Sequence, residues 1–539
     1  MKKLNRREFL RTTGASSLLL STAGVGFLSS VMGRQGGLSY DQLAPTNPTN
    51  FTNPLLLPSD NGLLGIFEPS SSFTMIAKEI SHELFPGATT QLWVYEVEQA
   101  GRRYLNPILR VRSGNNFSTT LKNELREETV IHWHGLKVDG RNDAHPSYAI
   151  RPGGMDQYSF AVANRSAAYW YHPHPHPLVG KQVYMGLASF LIVEDDNEVS
   201  IRESLDLTFG ETDIPLVLQD KQYRSDGILA YTPNREEEFM GFLGDVILVN
   251  LTAKPYLNVS RRIYRFRILN GSNARTYRLA FLRGSDPVPF HIVGNDGGLL
   301  AQPYQVAEVF LSPGERVDAL LDLRSVAEGD VVFFKSLEFD PLHHEMGGMM
   351  GGMPSSRLEE GEEFYILKLN VRSSVAYDRQ VPTSLSGITP INTGGANTRR
   401  FTLSLGHGGG HGGGRQWVIN GLTFRINEYP VSVRRNTIEV WEITNDHMSM
   451  PHPMHIHGFP FQVLERMGSP NQIRRLAVDG NGLLPTDQGW KDTILVWPGE
   501  QVKIAIDFSH NFSGEQIYLF HCHNLEHEDQ GMMINYKVV

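Results

Sequence analysis

The 539-residue chain has a single cysteine, Cys522, so no intrachain disulfide can brace it, and stability must come from apolar cores and bound groups even in an oxidising compartment. It has no apolar run that holds a stable membrane span: the stretch from Leu18-Leu19-Leu20 to Phe27 is short and broken by Ser, Thr and Gly. It has no excess of positive charge, since 49 Lys and Arg against 58 Asp and Glu leave a net −9. An acidic chain is a poor partner for nucleic acid and attracts small cations. Amphipathic helical spacing is scarce too. Tyr264-Arg265-Phe266-Arg267-Ile268 and the run Val502 to Phe508 instead place apolar residues at every second position, the mark of half-buried strands, and the class is all-β.

What is present in strength is histidine. Cys522 sits inside His521-Cys522-His523, and three further clusters occur: His132-Trp133-His134-Gly135, His172-Pro173-His174 and His452-Pro453-Met454-His455-Ile456-His457-Gly458. Alternate side chains leave opposite faces of a strand, so each His-x-His pair aims two imidazoles one way, and Cys522 points away from His521 and His523. One tripeptide can therefore touch two metal centres. Cys522, His527 five residues on and Met532 five beyond supply a thiolate, an imidazole and a weak axial thioether, a set typical of blue copper when one more histidine joins. Structural zinc closes with four ligands, usually several of them cysteine, and cannot use so many imidazoles around one thiolate.

On these motifs the chain resembles the multicopper oxidases, the family of laccases, ferroxidases and bacterial cuprous (copper-efflux) oxidases, from about residue 45 to the end. The resemblance implies cupredoxin-like Greek-key β-sandwiches and four coppers per chain. A type 1 copper would be held by His452, Cys522, His527 and Met532, and a type 2 copper by His132 and His455. A type 3 pair would take His134, His172, His174, His457, His521 and His523. The implied reaction couples four one-electron oxidations of substrate to reduction of dioxygen to two waters. Asp143 and Glu528 match the family's proton-delivery positions, although local sequence alone reads both as surface or ion-paired acids. His145 and His176 fall outside the ligand pattern.

The first residues are an export signal rather than part of the fold. Asn5-Arg6-Arg7-Glu8-Phe9-Leu10-Arg11 before the broken apolar stretch reads as a twin-arginine signal over 1–33, which sends folded proteins to the periplasm or cell exterior. Five cations against Glu8 leave with it, so the mature chain carries roughly −13. A turn signature recurs at Ile150-Arg151-Pro152-Gly153, Leu311-Ser312-Pro313-Gly314 and Val496-Trp497-Pro498-Gly499. It sets three expected domains, 45–198, 205–375 and 395–539. The second is expected to be copper-free, with Phe290-His291-Ile292-Val293-Gly294 a degenerate echo of His455-Ile456-His457-Gly458 and His291 a packed histidine. The mature chain is expected to be a monomer without a membrane span.

The electron donor is read from methionine. In Asp446-His447-Met448-Ser449-Met450-Pro451-His452, an extended chain would give Met448 and Met450 the parity of His452 and so a site for Cu(I), which thioethers select; the alternative is that both pack around the blue copper. The tract from His343 to Met353 reads as a copper-recruiting surface, and Gly406 to His411 as a metal-binding or spacer segment. Cuprous oxidase is the first reading and a laccase-like oxidase of phenols or other organics the second. The third is an exported non-catalytic protein of the same fold, against which the intact ligand set argues.

Overall fold

The computed structural model describes residues 39–539 except positions 86, 225 and 230 and the segments 342–355 and 408–414. The export signal, the methionine tract and most of the His-Gly tract lie outside the described residues. Among the described residues no helix is long and apolar enough to cross a membrane.

Strands dominate, as the period-two pattern predicts, and they assemble into six sheets that pair as three sandwiches within the compact unit Gly37–Val539. The first pairs a six-stranded sheet around Phe73–Phe85 and Ala88–Gln99 with a five-stranded sheet whose edge strand is Ile131–His134. The second pairs two seven-stranded sheets, and the third two five-stranded ones. Each sandwich has its own apolar core, because alternate residues of each strand turn inward: Phe117, Thr119, Leu121 and Asn123 are all buried along Asn116–Asn123. Chain order and sandwich do not coincide everywhere, since Asn53–Pro54 adds a parallel strand to the second sandwich opposite Pro255 and Tyr256.

One strand departs from its expected half-burial. Ile263–Asn270 is buried on both faces, and the guanidinium groups of Arg265 and Arg267 point into the protein rather than into water. The face the pattern assigns to solvent is covered by the helix Asp196–Ser204, whose Glu198 is fully buried. Arg267 binds Asp213 at 2.7 and 2.6 Å and also pairs with Glu198, while Arg265 binds Glu198 at 2.6 Å and Asp318 at 2.5 Å. Buried charge is tolerable only when so paired. The short helix after the first sandwich is thereby fastened to the second. Arg267→Met, which keeps bulk but strands buried carboxylates, is expected to cost about 3–5 kcal/mol in the first unfolding transition, measured by denaturant titration. A change below about 1 kcal/mol would show that the cluster contributes no net fastening.

Candidate metal centre

The histidine cluster forms where the first and third sandwiches meet. In the first, Ala167–Pro173 runs antiparallel to Ile131–His134 in a register that sets His172 opposite His132. In the third, His452–Ile456 lies between Gln516–Cys522 and Thr493–Val496, setting His455 opposite His521 and Thr493. Cross-strand partners come within side-chain reach, so two registers build the two halves of the cluster. His132, His134, His172, His174, His455, His457, His521 and His523 are all fully buried in it.

The hydrogen bonds at the rim orient the rings. His132 Nδ1 donates to the Asp143 carbonyl at 2.9 Å, His455 Nδ1 to the Asp492 carbonyl at 2.8 Å, and His172 Nδ1 to the Pro173 carbonyl at 3.0 Å. His457 Nδ1 donates to Asp143 Oδ2 at 2.7 Å. Each leaves Nε2 as an unprotonated atom facing inward. His134 is turned the other way: its Nε2 donates to Asp492 Oδ1 at 3.0 Å and its Nδ1 faces the cluster. Inside, His132 Nε2 stands 3.3 Å from His455 Nε2, and His134 Nδ1 stands 3.3 Å from His172 Nε2. His457 Nε2 is 3.0 Å from His521 Nε2, and neither nitrogen of His174 or His523 has a hydrogen-bond partner. Burial pulls His132 down to about 3 and holds His134, His172, His174, His455, His457 and His523 well below the ordinary imidazole range. Neutral rings whose lone pairs face one another at such distances repel, and a cation between them relieves this. The donor set therefore fits metal.

The second group lies in the core of the third sandwich. Cys522 Sγ is 3.6 Å from His452 Nδ1 and 3.6 Å from His527 Nδ1, and all three side chains are buried. His527 is delivered by the short helix Leu525–Asp529, capped by the Asn524 side chain. Met532 is buried in the same core and tied to both neighbours through the backbone, accepting from the Cys522 amide at 3.0 Å and donating to the His527 carbonyl at 2.8 Å. Burial pushes the Cys522 thiol far up. A thiol so placed ionises only with a compensating cation, and a thiolate with two imidazoles suits copper.

Asp143 is buried, its Oδ1 has no hydrogen bond and lies 3.7 Å from His132 Nδ1, and desolvation raises its carboxyl well above the usual range. Glu528 lies between His174 Nε2 at 3.1 Å and His521 Nδ1 at 3.2 Å, without hydrogen-bond geometry to either. Both acids touch the cluster, so neither is the surface group that local sequence suggests. His145 bonds Ser147 and Asn535, His176 packs edge-on against Phe424, and half-buried His291 lies elsewhere; none of the three joins the clusters.

The premise of extended chain before His452 is not met. The strand starts only at His452, residues 447 and 448 form a turn, Met448 is 44% exposed, and Met450 packs on the third core. The shared parity of Met448 and Met450 with His452 therefore fails, because parity counts residues only along a strand.

Three residues that the sequence does not assign to the site support the cluster. Asp492 accepts from His134 and is gripped by Arg316 of the second sandwich at 2.8 and 2.5 Å. Thr493 lies 3.1 Å from His455 Nδ1. Gly314, in the recurring turn and at φ +83°, presses on His523 so closely that an added Cβ would stand 2.9 Å from the ring. That recurring turn was the available signal, and its role shows only in the assembled protein.

Two family models, each described as multicopper oxidase, match residues 85–198 and 395–539 respectively. Multicopper oxidase mco of Staphylococcus aureus is 32% identical over 470 residues, covering 87% of this chain and 88% of that protein. Cell division protein FtsP of Escherichia coli is 29% identical over 98% of this chain and 97% of its own. The solved structure of McoA multicopper oxidase from the hyperthermophile Aquifex aeolicus is 40% identical and superposes with a TM-score of 0.78, over 90% of this chain and 99% of that one. The sandwiches are the cupredoxin-like domains of such structures. Carrying buried histidine and cysteine groups suited to copper on that shared fold, the chain belongs to the multicopper oxidases, copper-binding oxidoreductases.

Proposed function

We propose that the chain couples four one-electron oxidations to the reduction of dioxygen to two waters, with Cu(I) as its donor in copper tolerance. The observation that carries the reading is the pair of 3.6 Å contacts from Cys522 Sγ to His452 and His527, one peptide bond from His521 and His523 of the histidine cluster. His452, Cys522, His527 and Met532 would hold a type 1 copper, and His132 with His455 a type 2 copper. His134, His172, His174, His457, His521 and His523 would hold a type 3 pair. Four coppers per chain would supply reversible one-electron storage, with the covalent path through Cys522 joining the two centres.

The chain's own groups do the rest. Asp143 fixes the His457 ring through its Oδ2 and keeps Oδ1 unbonded beside the cluster, where it can hold a proton. Glu528 sits between His174 and His521 with both oxygens unbonded, so it too is placed to pass a proton inward. The Arg316–Asp492 pair holds His134 in its inward-facing Nδ1 form. A soft thioether at the exposed Met448, close in chain to His452, favours Cu(I) over a bulky donor.

The remaining readings are consistent with this one. The division into units 45–198, 205–375 and 395–539 draws support from the three large cores and from the two family matches, although Leu55 and Ile201 join the second core and Val246 and Leu248 the first. All the proposed ligands come from one chain, so a monomer suffices. Export by the twin-arginine route to the periplasm or exterior rests on residues 5–11. The test is turnover of Cu(I) against a phenol such as 2,6-dimethoxyphenol, with and without added Cu(II). Cu(I) is expected to be oxidised at least about tenfold more efficiently. A phenol preference that added Cu(II) leaves unchanged would make the enzyme a laccase.

A further inference from the structure

Both imidazoles beside Cys522 have their outer edges capped. With Nδ1 turned to the sulfur, the atom of each ring facing outward is Nε2, the natural point for an electron donor to touch. His452 Nε2 meets the hydroxyl of buried Ser449 at 3.0 Å. His527 Nε2 donates at 2.9 Å to the carbonyl of Phe239, which lies 288 residues earlier in the chain and packs its side chain on the third core. Phe239 lies in the last turn of the helix Arg235–Met240, where carbonyls have no partner inside the helix and are available to outside donors. The same carbonyl accepts from Trp417 Nε1 at 2.8 Å, and the Phe239 ring stacks on Trp417 with centroids 4.8 Å apart. Trp417 in turn packs against His452 and His527 at 5.0 and 6.0 Å.

The helix is latched at its base. Phe242 N–H donates to Glu526 Oε2 at 2.9 Å, and Tyr231 O–H donates to Glu526 Oε1 at 2.8 Å, so one buried carboxylate grips both sides of the segment 231–242. Asn273 donates to the same Oε1 at 2.8 Å, and the Asn524 amide reaches the Met240 carbonyl at 3.3 Å. Gly241, at φ +107°, passes so close to its neighbours that an added Cβ would stand 2.3 Å from Ala274 Cβ and 2.7 Å from Asn524 Nδ2.

We propose that residues 231–242 form a lid over the outer edge of His527 that excludes bulky aromatic donors, with Glu526 as the positioning residue that latches it. The inference rests on His527 belonging to the type 1 centre. A phenol must approach an imidazole edge closely, and here that edge is spent on a backbone carbonyl under a stacked Phe239–Trp417 pair. A small ion delivered on the Met448 side does not need the lid to move.

Three variants of the full-length, copper-loaded enzyme test this. Tyr231→Phe removes one latch bond. Glu526→Gln sets an amide where two opposed donors need a carboxylate, and Gly241→Ala forces the segment off Ala274 without touching the carboxylate. Blue absorption in each reports that the type 1 centre is intact, so its absence from the wild type would defeat the underlying reading rather than the lid. Hydrogen exchange of the amides across 231–242 is expected to speed up at least about tenfold in Glu526→Gln and Gly241→Ala, and less in Tyr231→Phe. The ratio of kcat/KM for 2,6-dimethoxyphenol to that for Cu(I) is expected to rise by about tenfold or more in step with exchange. Unchanged exchange in both stronger variants would overturn the latch. Faster exchange with an unchanged donor ratio would overturn the lid.

Discussion

Cys522→Ser is expected to bleach the protein, lower its copper content by about one of the four proposed equivalents, and reduce turnover to background. Cys522 is the sole sulfur anion available and lies 3.6 Å from each of two imidazoles. A serine hydroxyl neither ionises there nor supplies a soft ligand, and it removes the covalent path to His521 and His523. The fold should survive: the change is nearly isosteric, and a buried hydroxyl costs about 1–3 kcal/mol. Circular dichroism should match wild type while absorbance and oxidase assays read the loss. A serine variant that stays blue, or turns over at more than a trace of the wild-type rate, would refute the assignment of the centre.

The second large effect is expected at the two acids. Asp143→Asn and Glu528→Gln keep shape and remove the titratable group, and each should slow dioxygen consumption by about 10²–10⁴-fold. Asp143 is the sharper case, because its Oδ2 holds His457 while its Oδ1 is buried without a hydrogen bond. Asparagine can keep the first contact through its amide oxygen, so ring orientation is preserved and the proton alone is lost. Bleaching of the blue colour by reductant without oxygen should keep its wild-type rate, since that step does not call on these carboxylates. Wild-type oxygen consumption in both variants across pH would make the acids structural.

The strands and their burial were readable where one face meets a core. Val502 to Phe508 is such a strand, with Val502, Ile504 and Ile506 buried and Lys503 and Asp507 at its edge. Ile263–Asn270 carries the same alternation yet is buried throughout, because period two reports chemistry along one strand and not what packs on its polar face. The condition of extended chain at Met448 and Met450 fails for the same reason: residues 447 and 448 turn before the strand begins, so counting by twos has no meaning there.

By itself the sequence determined which side chains, at which spacing, this protein has of the kind that bind metal. Four His-x-His pairs and a cysteine between two histidines are local facts, and strand alternation converts each into a direction. Coordination chemistry asks first for ligand types and short-range spacing, both of which a single segment carries. The tertiary structure alone decided what surrounds those ligands. It placed Arg316 and Gly314 of the second sandwich against Asp492 and His523, buried Asp143 and Glu528 beside the cluster, and laid the Phe239 carbonyl on His527. Each of those contacts beyond the ligand pairs joins elements from different sandwiches or far apart in the chain. They are set by sheet register and by how the sandwiches pack, and no short stretch of chain encodes either one.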